Sequence, residues 1–191
     1  MAISAAAKSN HDQLFGDRVS ALAQSDPELI EYFDNFAFDE VYADAARLDE
    51  TLDLHTPAPG QSASTPQTRL EYGKAVQGRI AGDDAVAARL TGTPADEVHF
   101  QRYLAANCFG DTVGRGGIDL GVRELLTFSM LVALGGADAQ VRGHVNANLR
   151  VGNTRARLLA VLTVLVPFIG YPRTLNGLAA LNDTSPAAEH E

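Results

Sequence analysis

Between Asp119 and Asn182 the apolar residues recur at helical spacing, and glycines interrupt them at intervals that leave room only for a set of short-linked helices. Asp119 can cap the first, whose inward positions are Val122, Leu125, Leu126, Ser129, Met130 and Ala133. Gly135 and Gly136 end it, because glycine enters the left-handed conformation that closes a helix at little steric cost. A second helix is expected over residues 137–151, stopped by Gly152. Asn153 or Thr154 can cap a third over 155–169, and Gly170-Tyr171-Pro172 breaks it before a last helix through Leu181.

The first two of these helices form a hairpin with a geometric consequence. Glu124 lies about 11 residues before Gly135 and His144 about 8 after Gly136. At about 1.5 Å of rise per residue they sit within roughly 5 Å of the same height on antiparallel neighbours. Helix rotation decides whether they face each other. If they do, a carboxyl and an imidazole at one level are a proton-handling pair. The alternatives are a structural Glu–His contact, or two side chains that both point to solvent.

Arg123-Glu124-Leu125-Leu126-Thr127, Ala133-Leu134-Gly135, Arg142-Gly143-His144, Asn148-Leu149 with Val151-Gly152, and Phe168-Ile169-Gly170-Tyr171-Pro172 with Leu175-Asn176 form an ordered series. The series resembles carboxymuconolactone decarboxylase-like proteins. That resemblance implies an all-α, alkylhydroperoxidase D-like helical bundle that assembles as trimers or hexamers and needs no cofactor in its decarboxylase members. It also implies that Glu124 and His144 lie in the pocket region. The related alkylhydroperoxidase D branch has a Cys-x-x-Cys pair just before the histidine. Here that stretch is Ala137-Asp138-Ala139-Gln140, so the thiol peroxidase reading is rejected.

A chain of 191 residues holds one domain with a proper core, and its 46% hydrophobic content is ordinary. The net charge of −9 argues against nucleic-acid binding, which needs clustered Lys and Arg. Arg150, Arg155 and Arg157, the richest basic group, read as solvated helix ends. One cysteine, Cys108, excludes an internal disulfide and any cysteine-rich metal site, and it reads as a buried small residue. The N-terminus has no apolar core of signal-peptide length. The most apolar segment, Leu158 to Ile169, is interrupted by Pro167 and is too short to span a bilayer. These features predict a soluble, cytoplasmic protein with no nucleic-acid or membrane partner, and the resemblance implies a small-molecule substrate.

Taken in order, a helix is expected over residues 11–24, and Ser25-Asp26-Pro27-Glu28 starts another carrying Leu29, Ile30, Phe33, Phe36 and Ala37 inward. Residues 1–51 form this N-terminal helical segment, and residues 52–66 a proline-rich linker in which His55 is solvated. Residues 67–182 are the helical domain, and 183–191 a disordered tail. Within the domain, Thr65-Pro66 opens a helix through Ala81, residues 83–90 form a short one, and Thr93-Pro94 starts a third that ends in the turn Gly114-Arg115-Gly116-Gly117. Tyr32–Asp49 also echoes Tyr103–Asp119: Tyr32 aligns with Tyr103, Phe38 with Phe109, and Leu48-Asp49 with Ile118-Asp119 after a one-residue gap. Relatives with two tandem copies make the N-terminal segment read as the remnant of a first repeat. Such a segment cannot close its own core and must pack on the C-terminal unit or on another subunit.

In the reaction that the resemblance implies, a carboxylated lactone loses carbon dioxide and the resulting extended enolate is protonated. His144 is the candidate general acid, with Glu124 orienting its ring. Arg123 and His99 are the candidate substrate-binding residues. Arg123, however, points about 100° around the helix from Glu124 and can instead make a salt bridge or a subunit contact, while His99 can be an exposed helical histidine. His11 and His190 carry no argument, no histidine has the partners of a metal site, and Asp111 reads as a helix end. The expected function is therefore a cofactor-independent, decarboxylase-like lyase of aromatic-compound breakdown. The alternative is a non-catalytic helical oligomer that binds a small molecule.

Overall fold

The structure, a computed structural model, describes residues 3–16, 18–19, 22–41 and 61–186. Every regular element among them is helical. The linker residues 52–60, His55, His190 and the C-terminal part of the Tyr32–Asp49 echo lie outside the described residues.

The first helix, α1 (Ala5–Phe15), starts well before His11. Ser4 caps it by accepting from the Ala7 backbone N–H at 3.0 Å, and Gly16, at φ 66°, ends it. Alanine is the best helix former yet leaves no periodic mark, so a reading based on apolar spacing starts this helix too late. After α2 (Leu22–Ser25), the Asp26-Pro27 signal works as expected. Asp26 accepts from Leu29 N–H at 3.1 Å at the head of α3 (Pro27–Asp34). The chain then continues as a π-helical stretch, π1 (Asn35–Val41).

Pro66 to Thr68 form a turn, so α4 (Arg69–Ala81) begins a few residues later than Thr65-Pro66 suggests. Gly82, at φ 95°, separates it from α5 (Asp83–Gly92). A short α6 (Val98–Tyr103) passes into a second π-helical stretch, π2 (Leu104–Val113). Of the aligned pairs that are described, Tyr32 and Tyr103 are α-helical, and Phe38 and Phe109 both lie in π-helical stretches. There follow α7 (Leu120–Leu134), α8 (Asp138–Arg150) and α9 (Arg155–Thr184).

By length and composition α9 could cross a membrane, the one such helix among the described residues. Its backbone is not continuous: Gly170, at φ 73° and ψ 168°, divides it into limbs of about 15 residues, each roughly 22 Å long against a hydrocarbon layer of about 30 Å. The second limb runs past the expected tail boundary at 183 to Thr184, and Arg155 hydrogen-bonds the Ser185 carbonyl.

The helices pack as two compact units that cut across the boundaries read from sequence. One takes the N-terminal helices, Ser129–Asp138 and the chain from Arg155 onward. Its aromatic core sets Phe38 against Ala7, Ala37 and Phe33. Ser4 Oγ donates to Asp39 at 2.6 Å, Asn10 Nδ2 donates to the Phe38 carbonyl at 2.6 Å, and π1 also packs on α9. The N-terminal helices thus form a small core of their own, contrary to the expectation that this segment cannot close one, and π1 adds packing on the C-terminal helix.

The other unit contains α4, α5, α6, π2, the first half of α7 through Phe128, and Ala139–Thr154. Its core joins Val76 and Ile80 of α4 to Ala147 of α8, with Tyr72, Phe109, Val113, Leu120 and Val151 packed around them. The backbones of α4 and π2 approach closely where Gly73 meets Ala105 and Gly110. Tyr72 Oη donates to the Gly114 carbonyl at 2.7 Å, and Arg69 pairs with Asp111 at 2.7 Å. Asp111 is therefore a tie between α4 and π2 rather than a simple helix end.

Candidate active site

The start of α7 is set by Asp119, whose carboxylate accepts from Val122 N–H at 3.1 Å. Gly135 and Gly136, at φ 72° and 70°, turn the chain into α8, and Gly152, at φ 95°, ends that helix. On α7 the buried positions Leu125, Phe128 and Val132 form one stripe, and Glu124, one turn before Phe128, joins its edge. On α8, Val141, Val145 and Asn148 are buried at the matching spacing, with His144 beside them.

These rotations bring the acid and the imidazole face to face. His144 Nδ1 lies 2.7 Å from Glu124 Oε2. The glutamate side chain is 2% exposed and the histidine side chain 25%. A carboxylate only accepts, so Nδ1 carries the hydrogen and Nε2 is left to meet a partner. The carboxylate thus selects one tautomer and stabilises the ring when it is protonated. Solvent does not displace the contact, because the acid is buried.

Around the pair sits an amide ladder that the sequence showed only as motif letters. Asn148, fully buried, donates to the Glu124 carbonyl at 3.0 Å and to the His144 carbonyl at 2.7 Å. Asn153, also buried, donates to Asn148 Oδ1 at 2.8 Å and to the Gly121 carbonyl at 2.8 Å. The available signal was position: Asn148 lies one turn after His144, on the face that periodicity assigns to the core.

The two other candidates lie elsewhere. Arg123 Nε donates to the Ile118 carbonyl at 3.2 Å, and its terminal nitrogen donates to the carbonyls of Arg115 at 2.8 Å and Gly116 at 3.1 Å. It closes the glycine-rich turn on the start of α7. Burial, and then the nearby Arg115 charge, pull the Arg123 guanidinium below its ordinary range, while Asp119 and Tyr72 act against them. Two of the three guanidinium nitrogens are thus committed to main-chain carbonyls. His99 is an exposed ring tilted against Phe100 at a centroid distance of 4.2 Å and edge-on to Tyr103 at 5.8 Å, and no contact joins it to Glu124 or His144.

Cys108, on π2, is half-buried and electrostatically coupled to Glu124. Burial first, and the Glu124 charge second, push its thiol above the ordinary range. The folded chain therefore holds the proton more tightly than a free thiol does, and Cys108 stays protonated at neutral pH. The pH at which its iodoacetamide labelling reaches half-maximal rate is expected to lie above that of a free cysteine peptide, and to fall in Glu124→Gln. A midpoint equal to the peptide's, unmoved by the substitution, would refute the coupling.

Among the described residues, no group of three or more His, Cys, Asp or Glu side chains is arranged to hold a metal ion. A cavity of about 450 Å³ lies in the other packing unit, among Phe15, Phe33, Phe38 and Phe168, with His11 and Arg18 at its edge. His11 packs edge-on to Phe38 at 5.2 Å, an arrangement that its place near the terminus did not suggest. That cavity is lined mainly by aromatic rings, whereas the Glu124–His144 contact joins a buried acid to an imidazole, a combination suited to proton transfer.

The sequence model of the carboxymuconolactone decarboxylase family matches residues 99–183, from the first turn of α6 to the end of α9. No curated protein matches the chain significantly.

Proposed function

With residues 99–183 assigned to the carboxymuconolactone decarboxylase family, we propose that the chain is a cofactor-independent, decarboxylase-like enzyme acting on a small carboxylated lactone or related ring acid. The observation that carries this reading is the 2.7 Å bond between His144 Nδ1 and a glutamate that is almost wholly buried. In the reaction, the bond between the ring carbon and the carboxylate breaks. Its electron pair passes into the unsaturated lactone, carbon dioxide leaves, and an extended enolate remains. His144, protonated and held by Glu124, delivers the Nε2 proton to the carbon next to the lactone carbonyl. Its neutral ring then regains a proton from water. The substrate's own carbonyl accepts the electrons, so the protein's tasks are to orient the ring acid, exclude water and supply that proton. A thiol peroxidase cycle has no support, because the chain has one cysteine and Ala137-Asp138-Ala139-Gln140 precedes His144.

The working form in this reading is a cytoplasmic homo-oligomer, a trimer or hexamer. Met130, Leu134, Phe168, Tyr171 and Leu175 are all more than half exposed in the single chain. Such exposed apolar side chains, carried by α7 and α9, are buried when a second copy covers them. A second reading, a non-catalytic oligomer that binds a small molecule, is favoured by one observation: the turn engages Arg123, the cation nearest to Glu124 in sequence. Carbon dioxide release from 4-carboxymuconolactone decides between them. The enzyme reading expects release above the spontaneous rate without added metal or cofactor. Binding of the lactone with no release leaves the second reading standing.

A further inference from the structure

The amide ladder beside the pair has a feature that packing does not explain. Asn148 is 0% exposed and Asn153 6%. Burying a primary amide is unfavourable unless its donors and acceptor are matched, and leucine would fill the same space without that demand. Here the matching is complete where it can be counted. Both hydrogens of the Asn148 amide go to carbonyl oxygens, those of Glu124 and His144, and its oxygen accepts from Asn153. Both hydrogens of the Asn153 amide are used as well, on Asn148 Oδ1 and on the Gly121 carbonyl one turn before Glu124. A flipped Asn148 would set its oxygen against two carbonyl oxygens, so the network allows one orientation.

The two acceptors are the informative part. Of all the carbonyls along α7 and α8, one amide joins those of the acid and the imidazole themselves. The side chains of Glu124 and His144 meet on one rung, and their main chains are tied by the next. Asn153 fixes the second rung from outside: its backbone N–H donates to the Asn148 carbonyl at 2.9 Å while its side chain reaches α7 at Gly121. The start of α7 and the end of α8 are thereby locked in register around the pair. A slip of either helix would lengthen the 2.7 Å contact on which the ring's tautomer depends.

We propose that Asn148, held in orientation by Asn153, is a positioning residue that sets the geometry of the Glu124–His144 pair. The proposal rests on the reading of that pair as the reactive site. The side-chain hydrogen bonds of Asn148 go to main-chain atoms of the pair and to the Asn153 amide, so its action on the pair is indirect. It fixes where the carboxylate and the imidazole stand, and through them which ring nitrogen carries the hydrogen.

Nitrogen NMR of the imidazole in the ¹⁵N-labelled full chain, with His144→Ala used to assign its signals, reports the tautomer without any substrate. The wild type is expected in the Nδ1–H form. Glu124→Gln, which tests the pair itself, is expected to lower the ratio of Nδ1–H to Nε2–H several-fold. Asn148→Ala is expected to lower it in the same direction. Asn153→Ala, one step further out and less disruptive if Asn148→Ala does not fold, is expected to do so to a smaller extent. A helix tie without a positioning role would lower the melting temperature and leave the ratio at its wild-type value in the folded variants; that result overturns the proposal. If Glu124→Gln also leaves the ratio unchanged, the reading of the pair fails first, so the two failures can be told apart.

Discussion

His144→Ala is expected to release carbon dioxide from a carboxylated lactone on the order of 10² to 10⁴ times more slowly than the wild type, the range that a positioned general acid supplies. The imidazole is the group whose free nitrogen can face the enolate, since Nδ1 is bonded to Glu124. Glu124→Gln keeps a hydrogen-bonding oxygen but removes the buried charge that stabilises the protonated ring. Its expected loss is smaller, about 10- to 100-fold, since the acid remains present but is poorly held. Because His144 is partly exposed, its truncation leaves little cavity, and the variant is expected to melt near the wild type. Loss of turnover with an unchanged melt identifies chemistry rather than unfolding. Equal rates in wild type and His144→Ala would remove the acid from the mechanism.

The largest expected effect on stability comes from a glycine outside the pair. Gly73→Ala is expected to destabilise the fold by about 3 kcal/mol, because a Cβ there would overlap the Ala105 carbonyl and lie 2.8 Å from both the Ala105 carbonyl carbon and the Gly110 nitrogen. These are backbone atoms, so no rotamer change relieves the overlap, and α4 must move off π2. For a chain of this length such a loss lowers the melting temperature by about 6–12 °C. Gly143→Ala is the matched control: Gly143 lies inside α8 with nothing within 4 Å of its Cβ position, and the substitution is expected to be neutral or stabilising by up to about 1 kcal/mol. Thermal denaturation of the two variants checks both signs. A Gly73→Ala melt within a degree of the wild type would show that α4 and π2 do not meet backbone to backbone.

The contrast between these two glycines shows which parts of the structure could be read in advance. Gly135, Gly136 and Gly152 stop helices, a local task, and the helices end where the sequence says they should. The common level of Glu124 and His144 followed from rise per residue and loop length alone. Their facing did not, because rotation is set by which neighbours bury Phe128, Val141 and Val145. Gly73 is opaque for the same reason: inside a helical pattern it reads as a weak helix former until its partner backbone is known. The π-helical stretches share their apolar spacing with ordinary helices, so periodicity does not separate them. Arg123 stands beside Glu124 in sequence, yet its guanidinium turns to the glycine-rich turn, a choice made by three carbonyls that only the folded chain brings within reach. Asn148 hides as a polar letter on a buried face, where its value depends on acceptors from another helix.

The most direct test of the account is the stereochemistry of proton delivery. Decarboxylation of 4-carboxymuconolactone in D₂O places one deuterium on the carbon next to the lactone carbonyl. An acid fixed by Glu124 on one side of the substrate is expected to leave that deuterium in a single configuration. The residual product of His144→Ala is expected to carry both configurations equally, since water then protonates the enolate from either face. An equal mixture from the wild type would contradict the central claim that the Glu124–His144 pair delivers the proton.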